Sequence, residues 1–147
     1  MERNDVIATL NNLIETSRDG EEGFRQCADT VKSVSLKTFF EQKAERCREA
    51  VTQLQHIIRE MGGDPETGGS ASDAMHRFWV GLRGSISTMS DHAILDECER
   101  GEDVAKRSYE KALSRDLPGD VRRVVERQYA EVKMNHDKVR EMRNATA

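Results

Sequence analysis

The chain is divided at Gly62-Gly63-Asp64-Pro65-Glu66-Thr67-Gly68-Gly69, a stretch of turn-forming residues between two long helical halves. Six of the ten glycines lie between Gly62 and Gly84. Because glycine and proline interrupt helices and strands more strongly than other residues, this region predicts a long connection. Two helices are expected before it and two after it.

The spacing of apolar residues predicts four long helices, at about residues 4–32, 35–61, 91–114 and 118–143. Within each of these segments, apolar side chains recur every three or four residues, which places them on one face. Pro118 suits the start of the last helix, since the first turn of a helix has no partner for the N–H that proline lacks.

The connection, residues 62–90, is expected to contain a short helix at about residues 71–83. Gly68-Gly69 forms its hinge, and Ser70 is predicted to cap it, with Asp73 as the return partner. Four large apolar side chains share one side of this helix: Met75, Phe78, Trp79 and Leu82. Trp79 is interpreted as a core anchor; the alternative is an exposed aromatic patch that pairs protomers.

The length of the connection decides the topology. Helices of about 25 residues make a bundle about 38 Å tall, and residues 62–90 can span that height. Antiparallel neighbours are normally joined by only about 2–8 residues. The predicted fold class is therefore all-α, a ferritin-like antiparallel four-helix bundle in a single domain over residues 1–147, with a long crossover and with helices one and four parallel.

Composition agrees with this fold and excludes several roles. Charged residues make up 34% and aromatic residues 5% of 147 residues, which is typical of a helical protein in water. The net charge of −4, with both signs interspersed, argues against a nucleic-acid-binding protein. The last helix is locally basic, which is interpreted as a solvated face.

No apolar run reaches the roughly 18 residues of a membrane span, and Met1-Glu2-Arg3-Asn4-Asp5 does not begin a signal peptide. A cytoplasmic protein is therefore expected. The three cysteines, Cys27, Cys47 and Cys98, are an odd number on or near apolar stripes. This pattern favours reduced core thiols over disulfides or a zinc site.

An acidic block, Asp96-Glu97-Cys98-Glu99-Arg100-Gly101-Glu102-Asp103, lies inside the third long helix. At about 100° per residue, Glu102 falls within the apolar stripe of that helix, whereas Asp96 and Asp103 fall on the opposite face. The other four carboxylates are expected near the rim or in solvent. A buried carboxylate needs a partner, a proton or a metal.

Several blocks of the sequence resemble a known bacterial family: Leu10–Glu15, Arg18–Phe24, Gly68–Ser70, His76–Trp79, Glu97–Asp103 and Asp116–Pro118. The family is domain of unknown function 2383, which consists of ferritin-like four-helix bundles. The resemblance covers nearly the whole chain, and its Glu-Cys-Glu-Arg-Gly-Glu-Asp and His-Arg-x-Trp blocks are specific. It implies a ferritin-like fold in a bacterial cytoplasmic protein, and it implies no activity.

Ferritin-like bundles often hold two metal ions, which takes a Glu-x-x-His pair from each of two helices. None of the four histidines has a glutamate three residues before it. His56 is moreover predicted to face solvent, and helix two supplies no inward acid. No metal, cofactor or catalytic residue is therefore predicted, and the protein is interpreted as a non-enzyme.

Counting turns along the helices nevertheless brings Glu21, Glu102 and His136 to one height, with Arg48 close enough to reach inward. We interpret this set, Glu21, Arg48, Glu102 and His136, as a charge-compensated polar layer that fixes helix register. One alternative is a degenerate site for iron or another divalent metal, formed by Glu21, Glu102 and His136. The other is that the side chains turn out to the surface.

Three functions remain open at this point. The preferred one is a non-catalytic bundle that acts through protein contacts or self-association, as a homo-oligomer and most simply a dimer. The second is a degenerate ferritin-like metal binder or oxidase. The third is a small-molecule pocket beneath the crossover helix, whose Gly-rich flanks would let that helix lift. Gly20, Gly23 and Gly101 are expected to permit close approach of helices.

Overall fold

The computed structural model describes residues 1–65 and 74–146. Within these residues five α-helices follow one another, with a 3₁₀ turn at Ile86–Thr88 before the fourth: α1 (Arg3–Thr30), α2 (Val34–Glu60), α3 (Ala74–Arg83), α4 (Asp91–Leu113) and α5 (Gly119–Ala145). The four long helices differ from their predicted bounds by a few residues at most. The predicted hinge at Gly68-Gly69 and the cap formed by Ser70 and Asp73 lie outside the described residues.

The ends of the helices follow from local chemistry. The hydroxyl of Ser33 accepts a hydrogen bond from the Leu36 N–H, and that of Ser90 accepts one from the Ala93 N–H, so both serines cap a helix. Gly62 ends α2 with a φ of 79°, which glycine adopts without strain. Pro118 directly precedes α5, one position earlier than predicted.

Contacts along the helices give their directions. On α1 and α4, Cys27 lies against Cys98, with 3.3 Å between the sulfur atoms, and the backbone N–H of Lys32 donates to Asp91. Residue numbers thus rise on α1 as they fall on α4. The same holds for α2 and α5, where Arg46 meets Glu131 and Gln53 meets Gln128. Each neighbouring pair is antiparallel, α1 and α5 run parallel, and the predicted ferritin-like topology is confirmed.

The core consists of two apolar clusters stacked along the bundle. The lower cluster surrounds the first half of α1 and the start of α5, with Leu10, Ile14, Leu54 and Val125 fully buried. The upper cluster surrounds the second half of α1, the start of α2 and all of α3. Between them, at mid-height, the lining becomes polar.

The crossover helix α3 lies across α1 and α4 with Met75, Trp79 and Leu82 buried, as the apolar pattern predicts. Trp79 packs on Gly23 of α1, and Phe78 packs on Gly101 of α4. His76 of α3 also lies 3.3 Å from the Asp19 carboxylate, measured from Nδ1 to Oδ1. The helix α3 therefore packs directly against the two glycines, Gly23 and Gly101.

Candidate functional site

A cavity of about 330 Å³ occupies the middle of the bundle, between the two apolar clusters. It exists because the backbones of α2 and α5 stay farther apart than those of the other neighbouring long helices. The inner lining is aromatic and apolar, with Phe24, Met75, Trp79 and Tyr109. Its volume lies at the lower end of the range for small-molecule sites, about 300–1,000 Å³.

A chain of hydrogen bonds forms one end of the cavity and takes one residue from each long helix. The hydroxyl groups of Ser17 and Tyr109 lie 3.5 Å apart, and Tyr109 donates to Oε1 of Gln128 at 2.8 Å. Gln128 in turn donates to Oε1 of Gln53 at 2.9 Å. Because each group has a partner, this polar layer fixes the register of α1, α4, α5 and α2.

Glu102 enters the cavity from α4, and its side chain is buried, with 4% of the residue exposed. Within residues 1–65 and 74–146 it forms no ion pair and accepts no hydrogen bond. Burial raises the pKa of Glu102 to about 8; the carboxylates of Asp103 and Glu131 add to this rise, and Lys43 opposes it. At neutral pH the carboxyl group is therefore mostly protonated.

Cys47 and Tyr109 share the cavity with Glu102. Burial raises the pKa of the Cys47 thiol well above its ordinary value, and the charges of Glu102 and Glu21 raise it further. Burial likewise raises the pKa of Tyr109. A thiol held in the neutral form is a poor nucleophile, so the cavity contains hydrogen-bonding groups and no activated nucleophile among the described residues.

The mouth of the cavity lies between α2 and α5. There Arg46 binds Glu131 in a bidentate ion pair, with 2.5 Å from Nε to Oε1 and 2.7 Å from Nη2 to Oε2. Arg46 also contacts Glu49 on its own helix. Lys43 and the exposed Arg127 also line the cavity.

The predicted layer of Glu21, Arg48, Glu102 and His136 does not form. Glu21 binds Arg25 one turn farther along α1, and Arg48 is 63% exposed and binds Glu45 on its own helix. The polar layer that does exist has different members and lies about one to two helical turns closer to the start of α1. Of the four predicted side chains, only that of Glu102 lines the cavity.

His136 is buried, at 2% exposed, but it belongs to a second cluster on the α4–α5 side. Its Nε2 atom lies 2.8 Å from Oδ1 of Asp103 and 3.7 Å from Oε2 of Glu99. Glu99 also accepts hydrogen bonds from Arg140 and Arg143. The expectation that Glu99 sits near the rim was wrong, because these two guanidinium groups cover its carboxylate and leave it 9% exposed.

One sequence signal for this cluster was available. Arg140 and Arg143 are three residues apart, so they share a face of α5, and Glu99 with Asp96 has the same spacing on antiparallel α4. The interpretation of the basic residues as a solvated face is therefore incomplete: Arg140 is half exposed, but both arginines pair with Glu99. The buried Asp19 beneath α3 was also missed; Gly23, about one turn farther along α1, marks where the crossover helix packs.

The donor set does not fit a metal centre. The three proposed ligands point to different places, with Glu21 on Arg25, His136 on Asp103 and Glu102 in the cavity. In the part of the chain that the structure describes, no three His, Cys, Asp or Glu side chains come together as a metal site would require. The structure therefore does not bring Glu21, Glu102 and His136 together as the three ligands of one site.

In residues 1–65 and 74–146, none of the helices combines the length and apolar character needed to cross a membrane. The fold is similar to that of solved structures, among them a dodecameric thioferritin, the bacterioferritin-related protein from Bacteroides fragilis. That match has a TM-score of 0.75 at 16% sequence identity, and it covers 96% of this chain and 85% of the other. No curated protein matches the chain.

Residues 5–115 match the model of the family described as Domain of unknown function (DUF2383). That region contains the acidic block of α4, the glycines beneath α3 and α3 itself. The chain belongs to this family of ferritin-like helical bundles.

Proposed function

We propose that the protein binds a small organic molecule in the cavity at the centre of the bundle. The observation that carries this proposal is the cavity itself, which has aromatic walls, a hydrogen-bonded end and one unpaired buried carboxyl group. A few polar groups in a mainly apolar pocket are the usual composition of a small-molecule site. Of the functions open at the level of sequence, small-molecule binding is the one that this geometry supports best. The cavity differs from the expected pocket beneath a lifting crossover helix, because Met75 and Trp79 of α3 form part of its wall and its mouth lies between α2 and α5.

Displacement of a neutral fluorescent dye, N-phenyl-1-naphthylamine, tests the proposal. We expect the unmodified protein to bind the dye saturably with one site per chain. Ala105 lines the cavity, so Ala105→Leu should fill it and weaken binding at least about tenfold, the effect of roughly 1.4 kcal/mol. Ala50→Leu fills the same cavity from α2 and serves as a second variant if the first fails to fold.

Ala130→Leu is the matched control, because Ala130 lies on the exposed face of α5. It should bind the dye as the unmodified protein does. Loss of helical signal in circular dichroism would disqualify a variant. The proposal is overturned if the unmodified protein shows no saturable binding, or if folded variants with either filled cavity bind as well as the control.

We infer that the role is binding rather than catalysis and that it needs no resident metal. Support comes from the absence of any Glu-x-x-His pair in the sequence and from the separate environments of Glu21, Glu102 and His136. Protein loaded with Fe²⁺ under anaerobic conditions and then desalted should retain less than about a tenth of an equivalent of iron. Stoichiometric retention would contradict this inference.

We propose in addition that the chain forms a homo-oligomer, with a dimer as the simplest form. The similar thioferritin is dodecameric, and three large apolar side chains remain exposed on different helices here: Val34, Val80 and Met134. Sedimentation equilibrium should give at least twice the 16.7 kDa mass of the chain. A strict monomer across the accessible concentration range would argue against self-association and leave the cavity proposal unaffected.

The setting we propose is the bacterial cytoplasm, which fits three unpaired cysteine thiols. Nucleic acid is not a proposed partner, because two of the arginines on α5 are already engaged by Glu99. A second copy of the chain is the partner that we propose.

A further inference from the structure

The charged groups that line the cavity differ in how deeply they are buried and in whether they form ion pairs. At the mouth, Arg46 is neutralised by Glu131 and Glu49. Deeper inside, Glu102 has no counter-ion within ion-pair distance among the described residues. Lys43 is near enough to favour the ionised form of Glu102, but its ammonium group lies 5.3 Å from the ring centre of Phe39. Arg127, the other cation of the lining, is exposed. Among the described residues that line the cavity, Glu102 is therefore the one buried carboxyl group, and it becomes an unpaired negative charge when it ionises.

Aromatic rings line the same cavity as the unpaired carboxyl group. Phe24 and Trp79 meet edge to face, with 6.3 Å between ring centres, and both line the cavity together with Tyr109. The ring faces carry negative electrostatic potential, so they attract cations and not anions. The indole Nε1 of Trp79 is buried, and it has no hydrogen-bond partner in the part of the chain that is described.

We propose that the ligand of this cavity is an organic monocation, a protonated amine with an apolar body, whose ammonium group pairs with Glu102 while its body packs against Phe24 and Trp79. This inference rests on the proposed function and assigns its ligand class. A buried carboxylate without a partner is unfavourable, and an ammonium ion supplies both the missing charge and the missing hydrogen bonds.

Two other ligand classes fit less well. An organic anion would meet the Glu102 carboxyl group deep in the cavity. Among the described residues, the two lining cations that form no ion pair, Lys43 and Arg127, offset this little, because the Lys43 ammonium group already faces the Phe39 ring and Arg127 is exposed. A neutral molecule would fill the volume and accept a hydrogen bond from protonated Glu102, but it would not neutralise the ionised form. The cation alone gains from both the carboxylate and the rings.

The protonation of Glu102 makes binding depend on pH. Its pKa of about 8 reflects burial and the acids Asp103 of α4 and Glu131 of α5, against Lys43 of α2. The thiol of Cys47 on α2 also faces it and stays neutral in this range. Binding of an ammonium ion at neutral pH therefore releases a proton from Glu102, and affinity for the cation should rise as the pH increases from about 6 to about 8.

A matched series of probes tests the ligand class. Phenylalkylamines from phenylethylamine to phenylhexylamine are compared with the corresponding alcohols and carboxylates, and binding is followed by the fluorescence of Trp79, the only tryptophan of the chain. At about pH 8 we expect the best amine to bind at least about tenfold more tightly than its alcohol, the effect of one charge-assisted hydrogen bond. The carboxylates should bind most weakly.

Glu102→Gln keeps the shape of the side chain and removes its charge. It should weaken amine binding at least about tenfold and change alcohol binding by less than about threefold. Glu22→Gln, on the exposed face of α1, is the control and should change neither.

The outcomes separate this inference from the proposed function. If an alcohol binds as tightly as its amine, or if Glu102→Gln leaves amine affinity unchanged, the cation assignment is wrong and the cavity remains a binding site for neutral molecules. If no probe binds, the assignment is overturned. The proposed function falls with it only if the dye also fails to bind.

Discussion

The indole ring of Trp79 occupies the space that a side chain on Gly23 would need, since a Cβ atom at Gly23 would lie 2.0 Å from Cε2 of Trp79. The crossover helix is therefore held by a contact that only glycine allows. Alanine would gain about 1 kcal/mol of helix propensity at this position, but its methyl group would displace the indole ring of Trp79.

We expect Gly23→Ala to lower the free energy of unfolding by about 1–3 kcal/mol in urea, because overpacking of a core has costs of that size. Trp79 fluorescence should shift to longer wavelength as the indole becomes more exposed. Gly81→Ala on α3 is the control, because a Cβ atom there meets nothing within 4 Å. Equal effects from the two substitutions would contradict the packing argument.

The second prediction concerns pH. Glu102 has an ordinary pKa of 4.5 in the unfolded chain and about 8 in the folded one. Between these values the folded state binds more protons, so the free energy of unfolding should fall as the pH rises, by on the order of 1 kcal/mol per pH unit, and level off above about pH 8. Glu102→Gln should remove most of this decline, while Glu22→Gln keeps it. Parallel curves for wild type and Glu102→Gln would disprove the assignment.

The third prediction tests the cluster of Glu99 with Arg140, Arg143 and His136. Glu99→Gln leaves two arginines and a buried histidine without their shared acid, and we expect a loss of about 2–4 kcal/mol of unfolding free energy. Glu97→Gln, two residues earlier on the same helix, breaks only a contact with Arg100, which is largely exposed, and should change stability by less than about 1 kcal/mol. Urea denaturation at neutral pH measures both.

The fourth prediction compares the only two tyrosines. Tyr109→Phe removes the hydroxyl in the middle of the buried hydrogen-bond chain and leaves Gln128 without its donor, so it should lower the unfolding free energy by about 1–3 kcal/mol. Tyr129→Phe breaks an exposed contact with Glu110 and should change it by less than about 1 kcal/mol. A larger effect at Tyr129 would show that the buried hydrogen bonds of Tyr109 do not fix the register of the helices.

The last prediction concerns the thiols. Cys27 and Cys98 are buried against each other, and burial raises the pKa of Cys98 and of Cys47. Because the thiolate is the reactive form, the buried thiols of Cys27 and Cys98 should not react with Ellman's reagent within minutes in the folded protein at about pH 8. The half-buried Cys47 should react more slowly than it does in the denatured protein. All three should react once the protein is denatured. Rapid reaction of one thiol before denaturation would show that the cavity admits the reagent to Cys47.

The fold was predictable because its signals are repetitive. Apolar residues recur along about 25 positions in each helix, so an error at one position is corrected by the rest. The inward direction of the Glu102 side chain was predictable from the same repeating pattern. The length of the connection then allowed only a crossover along the bundle.

The members of the polar layer were not predictable in the same way. Counting turns ignores how much each helix shifts along its neighbours, and that shift is set by packing. It also ignores local partners: Arg48 binds Glu45 at the i−3 position, and Glu21 binds Arg25 at i+4, without ordering a second helix. Ser17, Gln53 and Gln128 carry no charge, so a search for charged partners at one height along the bundle did not select them.

The two stacked apolar clusters have a consequence for how the molecule opens. They meet at a cavity and a thin polar layer rather than at a packed interface, so each end of the bundle holds its own share of the buried surface. Regions with separate cores tend to unfold as separate units. A molecule lodged between them would touch both, and occupancy would thereby couple two local unfolding events into one, visible as a slower and more uniform exchange of backbone amide hydrogens.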